Sequence, residues 1–442
     1  MSSIPATSSS IDSQIKAVQR QTPPLGKPNR VLVARLRLVL LFGLGALAGY
    51  FWLSPVFVPP GSPTLQESGQ SVERILRVLS VLLILPLVWK RVLWLVLHES
   101  VLRLVLWAFV VAPLFSLLSY PNINFLIATV GPFIVGGLSL LCLCALRSKQ
   151  FIAWVSGVGM LAAVFLGVGL SQYGLATTTY YGRARADFGF IEPTQTAAAV
   201  LMTGIFVVLW IGQCFRKRTR MRRFLWLFTG VCAALLLFFA ASRSTSLALL
   251  LLVLGAGYSV VARRAILKFL PAVILLLVPF VLFGIAVLGD TQGGLWNVLN
   301  GFSSTRFYQY SSLLSRMNQE TLLSTLIGPS VYSQMSDSTA RGFAVSESVY
   351  FSLYVNYGLV TLVSFFVFLL ALAKRLSQAH APLAYGCLCA VTIFFAIDAQ
   401  GVTPSNLTVF LLLAYCVRCA CAVRLSRSIA SKPPRTAAPV VT

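Results

Sequence analysis

Of the 442 residues, 57% are hydrophobic and only 10% are charged. A soluble domain carries about a quarter charged residues, so a cytosolic protein or a string of soluble domains is excluded. The formal net charge is nevertheless +24, from 35 Lys+Arg against 11 Asp+Glu. Taken alone this suggests a nucleic-acid binder, and the decision rests on where the charges fall along the chain.

Crossing a bilayer core takes roughly 20 apolar helical residues. Twelve windows qualify, near 38–57, 75–89, 101–119, 123–146, 151–171, 195–213, 224–241, 245–262, 269–288, 349–373, 382–398 and 404–423. The window 75–89 is short and broken by Pro86. Pro271 and Pro279 also fall inside a window, where neighbouring helices can satisfy the freed backbone. The expected fold is therefore an all-α polytopic membrane protein of about twelve transmembrane helices. Residues 1–35, rich in Ser, Thr, Pro and Gln, read as a disordered cytoplasmic tail. Residues 36–425 read as the transmembrane domain and 426–442 as a cytoplasmic C-terminal tail.

Orientation follows from the excess of Lys and Arg on cytoplasmic loops. With the N-terminus inside, twelve alternating spans put Lys90/Arg91, Arg147/Lys149, Arg216–Arg223, Arg263/Arg264/Lys268, Lys374/Arg375 and Arg418–Arg435 on one side. The other side keeps Arg74, Arg77, Arg183, Arg185, Arg243, Arg306, Arg316 and Arg341, with nine of the eleven acids, and is close to neutral. The basic balance is thus a topology signal, and nucleic acid is excluded as a partner.

Chemistry on the outer side has to do without imidazole, because His98 and His380 both fall inside. The nine cysteines lie in spans or at their inner ends, and no metal-ligand spacing occurs, so no metal and no cofactor are expected. Two sizeable outer loops remain, at about 172–194 and 289–348, with a tight turn at Ala241-Ser242-Arg243-Ser244. Long loops in compact proteins are usually functional, and arginine suits bidentate phosphate recognition. Arg243 stands between the runs LLLFFAA and TSLALLLLVL, where charge is costly unless it faces a cavity or partner; an arginine snorkelling from a helix end also fits.

Within the long loop, residues 305–317 fit a short amphipathic helix, with Phe307, Tyr310, Leu314 and Met317 inside about 80° of arc. Arg306 borders that apolar face, Arg316 lies round on the solvent side, and Arg341 stands in the polar stretch SDSTARGFA. Span ten opens Ser346-Glu347-Ser348, and at helical spacing Glu347, Tyr350, Tyr354 and Tyr357 share one stripe. A carboxylate there can act as a general base or bind sugar hydroxyls, or it can simply favour a helix N-terminus.

Three of these elements, in order, resemble the superfamily of O-antigen polymerases and O-antigen ligases, polytopic glycosyltransferases of bacterial inner membranes. Arg185-Ala-Asp-Phe-Gly-Phe-Ile-Glu-Pro193 is similar to the family's arginine-to-proline stretch before a span. Ser242-Arg243-Ser244 is similar to its Ser-Arg turn, and Glu347–Gly358-Leu to the segment opening the span after the large loop. The match covers roughly residues 180–373. Where ligases carry a histidine, this chain has Ser346-Glu347, which moves the resemblance toward the polymerase branch; the family's Asn is also missing at Glu192-Pro193-Thr194.

The resemblance implies a GT-C-like fold with its large periplasmic loop between spans nine and ten. It also implies both termini in the cytoplasm and a substrate of oligosaccharide linked to undecaprenyl diphosphate. The growing glycan would pass from its lipid carrier to an incoming lipid-linked unit, with a chain-length regulator and a flippase as further partners. Glu347 and Arg243 are the expected catalytic residues. Arg183, Arg185, Arg306, Arg341, Tyr350 and Tyr354 are the expected substrate contacts. An O-antigen ligase and a lipid-linked oligosaccharide flippase or transporter remain alternatives.

Overall fold

In hydrocarbon every backbone N–H and C=O needs an internal partner, so long uncharged runs fold as helices. The computed structural model describes residues 27–54, 57, 79–174, 177–180, 183–186, 188, 190, 193–215, 218–240, 243–262, 264–288, 321–329, 348–379, 381–397 and 407–430. Helical backbone occupies most of the described part of every apolar window. In chain order the helices are α1 (Lys27–Leu53), α2 (Leu85–His98), α3 (Ser100–Ser119), α4 (Gly131–Ala145) and α5 (Ser148–Tyr173). A two-stranded hairpin follows, β1 (Thr177–Tyr180) and β2 (Arg183–Ala186). Then come α6 (Pro193–Cys214), α7 (Thr219–Ala240), α8 (Arg243–Val261), α9 (Ala265–Leu288) and the short α10 (Leu322–Ile327). The last three are α11 (Val349–Ser377), α12 (Pro382–Ile397) and α13 (Leu407–Ala430).

Six of these helices are long and apolar enough to cross a membrane, and α4, α8, α9, α12 and α13 contain shorter apolar runs. Outward-facing side chains such as Phe238, Val261 and Phe224 are apolar and exposed, as suits contact with lipid. The protein is an all-α membrane protein, with one small hairpin among the described residues.

Three local differences from the sequence expectations have physical causes, and one expected break is present. Helix α1 already begins at Lys27, so the expected tail boundary at 35 falls inside it; residues 1–26 lie outside the described residues. The break expected at Pro86 is present: residues 79–82 are helical, Leu83 and Ile84 form a turn, and α2 resumes at Leu85 with Pro86 in its first turn, where its missing N–H has no helical partner to lose. Helix α2 then runs through Lys90 and Arg91 to His98, and the loop before α3 shrinks to Glu99, whose backbone is extended. Part of the loop expected at 172–194 folds as the antiparallel hairpin, pairing Thr177 with Ala186 and Tyr180 with Arg183. The amphipathic helix expected at 305–317 lies outside the described residues, as do residues 431–442.

Small residues let helix backbones meet, the usual basis of helix association in a bilayer. A Cβ on Gly157 of α5 would overlap the Phe42 carbonyl oxygen of α1, and one on Gly45 of α1 would overlap the Trp154 carbonyl oxygen. At Gly167 of the same helix nothing lies within 4 Å. Gly157→Ala is therefore expected to destabilise by about 1–3 kcal/mol through overpacking. Gly167→Ala is expected to leave the thermal midpoint in detergent unchanged. Equal midpoints for the two variants would mean that the α1–α5 contact is not close.

An aromatic core ties α3, α4 and α11 together. Phe109 stacks on Phe133 at 5.0 Å and meets Phe365 edge-on at 5.6 Å. Trp107 Nε1 donates to Ser364 Oγ at 3.0 Å.

The bundle has two distinct ends. At one, Arg418 of α13 donates to the carbonyls of Leu143, Cys144 and Leu146 at the close of α4, and Arg375 of α11 donates to Ser100 Oγ at the start of α3. Arg91 and Arg147 lie beside Arg418. Lys268 belongs to the same end, because Tyr385 at the start of α12 donates to its carbonyl. The basic residues of four separate junctions thus gather at one end of the helices.

Candidate functional site

The opposite end carries the described part of the expected site. Tyr258, in the last turns of α8, donates to Leu267 O, while Tyr385, in the first turn of α12, donates to Lys268 O. The two helices therefore run antiparallel, with Gly255 and Gly386 at their closest approach. Arg243, about 22 Å up the helix from Tyr258 at 1.5 Å per residue, belongs to the far end, with the close of α12. Helix α11 begins at that same end, where Ser348 Oγ donates to Phe395 O at 3.3 Å.

The hairpin reaches this end from a third direction. Gly169, one turn before the close of α5, lies against the Phe188 backbone just past β2, and Phe57 bridges to Phe190. Thr408 at the start of α13 donates to Ala198 O near the start of α6, opposite the Arg418 end of the same helix. Strand β2, which contains Arg183 and Arg185 at alternate positions, packs on α7, the helix that closes just before Arg243. Arg243 is itself the first residue of α8. A helix start presents unpaired N–H groups and a partial positive charge, so anionic groups are favoured there.

Of the tyrosines on α11, Tyr350 is 1% exposed, with its ring 5.9 Å from Phe280 and 6.2 Å from Phe365. Its hydroxyl has no hydrogen-bond partner among the described residues. A buried orphan hydroxyl is costly, roughly 1–3 kcal/mol, and marks a polar point inside an apolar wall. Tyr354 is also buried, one turn further on. Tyr357 donates to Thr129 O at 2.9 Å and stacks on Phe133 at 4.9 Å. Glu347, Arg306 and Arg341 lie outside the described residues, as do Asp187, Glu192 and Asp398.

Irregular backbone gathers below these tyrosines, and the apolar pattern gave no sign of it. Helix α11 is broken at Gly358, with φ 77° and ψ −179°. Gly328, at the close of α10, fills the break with φ 60°, so close that a Cβ on it would lie 2.6 Å from the Gly358 nitrogen. Two π-helical turns, Trp107–Val111 in α3 and Leu126–Val130 before α4, flank the same place. Such turns are rare and are frequent at functional sites. The Gly328-Pro329 pair was the one visible cue, since Gly-Pro punctuates a chain. Among the described residues, no three His, Cys, Asp or Glu side chains form a metal-holding group. Compared with known proteins, the chain matches no family model, no curated protein and no solved structure.

Proposed function

We propose that the protein is a membrane glycosyltransferase that polymerises lipid-linked repeat units of a bacterial surface polysaccharide. It works at the periplasmic face of the inner membrane, with twelve GT-C-like spans and both termini in the cytoplasm. One observation carries the reading. The backbone of Arg183, Arg185 and Arg243 and the start of α11 share the end of the bundle opposite the gathered Arg91, Arg147, Arg375 and Arg418. The backbones of three arginines that depart from the topology rule therefore stand at one end of the bundle. A bound diphosphate needs several cations at one such end.

In the proposed step an acceptor sugar hydroxyl attacks the anomeric carbon of the growing glycan. The bond from that carbon to the lipid diphosphate breaks, Glu347 takes the hydroxyl proton, and the lipid diphosphate leaves. One unit charge at about 4 Å is worth roughly 4 kcal/mol at an effective dielectric near 20. Two or three arginines thus stabilise the leaving group substantially. Tyr350 and Tyr354 line the apolar side of the acceptor path, while Arg306 and Arg341 extend the diphosphate clamp.

Glu347→Gln is expected to cut chain elongation by about 10²- to 10⁴-fold, the usual contribution of a positioned base. The readout is the polysaccharide ladder on a gel: single repeat units in the variant, long chains in the wild type. Normal ladders at normal protein level would remove Glu347 from the chemistry.

A second reading, a transporter of lipid-linked oligosaccharide, is favoured by the break in α11. Gly358 stands nine residues beyond Val349, about 14 Å along the helix and so near mid-bilayer, where porters place broken helices. A deletion strain separates the two. A polymerase defect leaves single repeat units outside the cytoplasm, whereas a transporter defect leaves none there.

A further inference from the structure

Helix α10 is built the wrong way round for a segment in water. Leu322, Leu323 and Leu326 share about 100° of arc and are exposed, Leu322 by 78%. The hydroxyl residues Ser324 and Thr325 are half-buried on the other side. A helix on a soluble domain does the reverse and turns its apolar stripe to the core. The inner hydroxyls need no water, because they bond within their own turn. Ser324 Oγ and Thr325 Oγ1 both donate to Thr321 O at 3.0 Å, and Thr321 Oγ1 accepts from Ser324 N at 3.2 Å. The backbone closes in the same way, Thr325 N donating to Thr321 O and Gly328 N to Ser324 O. Hydrocarbon asks this of any segment it surrounds, whereas water does not.

The surroundings of α10 face lipid as well. It packs on Ser116–Ser119, the last turn of α3, at the end of that helix opposite Ser100 and Arg375. Leu118 in that turn is 72% exposed. Leu359, Val363 and Val367 follow the break at Gly358 at helical spacing and are exposed too. The leucines of α10 therefore continue an apolar surface that the helices already turn to the bilayer. Gly328 and Pro329, where the backbone is irregular, are buried against α11 instead. Non-helical backbone at membrane depth is tolerated where protein covers it in this way.

We propose that residues 321–329 dip into the bilayer as a re-entrant segment, with Leu322, Leu323 and Leu326 against acyl chains. The leaflet concerned is the one away from the gathered basic residues. From Thr321 to Pro329 the chain carries no charge, so it offers a polar partner nothing to hold. The long segment between α9 and α11 is thereby pinned to the membrane partway along, instead of passing wholly through water. The inference rests on the membrane fold and is independent of glycosyl transfer.

The experiment uses the full chain in phospholipid nanodiscs, which open both faces to water. Leu323→Cys and Asn124→Cys are each treated with a charged, water-soluble maleimide, and the label beyond the wild-type background is measured. Asn124 is exposed in the turn between α3 and α4 and serves as the comparison. Leu323→Cys is expected to react at least about tenfold more slowly, since the reactive thiolate does not form among acyl chains. Both should label fully once the protein is unfolded in dodecyl sulfate. The photoreactive variant Leu323→benzoylphenylalanine identifies the neighbour, with the same change at Leu322 as a second variant should the first not fold. Illumination is expected to add the mass of one phospholipid. Equal labelling rates at the two cysteines would overturn the re-entrant segment. So would the absence of a lipid adduct, or a cross-linked dimer, because a second copy would then cover the leucines.

Discussion

Replacing Arg243 with alanine is expected to stop chain elongation while the protein stays at its normal level in the membrane. The residue opens α8, so its charge adds to the unpaired N–H groups of a helix start. Apolar runs on both sides make an idle charge there expensive. A positioned donor to developing negative charge is worth about 10²- to 10³-fold in rate, and a loss of that size is expected here. Arg243→Lys should restore part of it, because an ammonium keeps the charge but loses the planar fork that grips a diphosphate. The polysaccharide ladder and an immunoblot decide the matter together. Long chains from Arg243→Ala at wild-type abundance would refute the clamp.

The second large effect is expected at Gly358. Its backbone, φ 77° with ψ −179°, lies in a region open essentially to glycine alone, where another residue costs about 1–3 kcal/mol. Space is also lacking: a Cβ would overlap the Gly328 nitrogen and lie 2.6 Å from Leu326 O. Gly358→Ala must therefore either expel α10 or straighten α11, and either outcome moves Tyr350, Tyr354 and Tyr357 relative to α3 and α4. A lower thermal midpoint together with loss of long chains is expected. Gly43→Ala, where nothing lies within 4 Å, supplies the control and should match the wild type in both. A Gly358→Ala protein with wild-type midpoint and ladder would show that the crossing has no role in positioning the tyrosines.

What the sequence determined by itself was the helical content and its segmentation. Apolar length is read directly from composition, and lipid leaves the backbone no other solution, so each window from 38–57 to 404–423 is mostly helical where it is described. The candidate residues Arg183, Arg185, Arg243, Tyr350 and Tyr354 could be named because charge and aromatic spacing are local properties. Their shared end could be anticipated only as a count of alternating spans.

The tertiary structure decided what depends on residues far apart in the chain. Gly358 looks like an ordinary small residue inside an apolar run, and only the backbone of Gly328, thirty positions earlier, makes it a break. The π-helical turns appear only in the folded chain, where Trp107 of the first of them donates to Ser364 of α11. The hairpin strands TTTY and RARA are too short for a periodic signal to separate them from loop. Pro86 marked an interruption from sequence, and the structure adds that the chain turns at Leu83 and Ile84 and resumes as α2 with Pro86 in the first turn.

The basic residues show the division most clearly. Their sum of +24 comes from composition, and their sidedness from spacing along the chain. That Arg91 stands near Arg147 and Arg418 comes from packing alone. Charge signs add along a sequence, whereas the energy between charges depends on distance and burial, which only the folded chain sets.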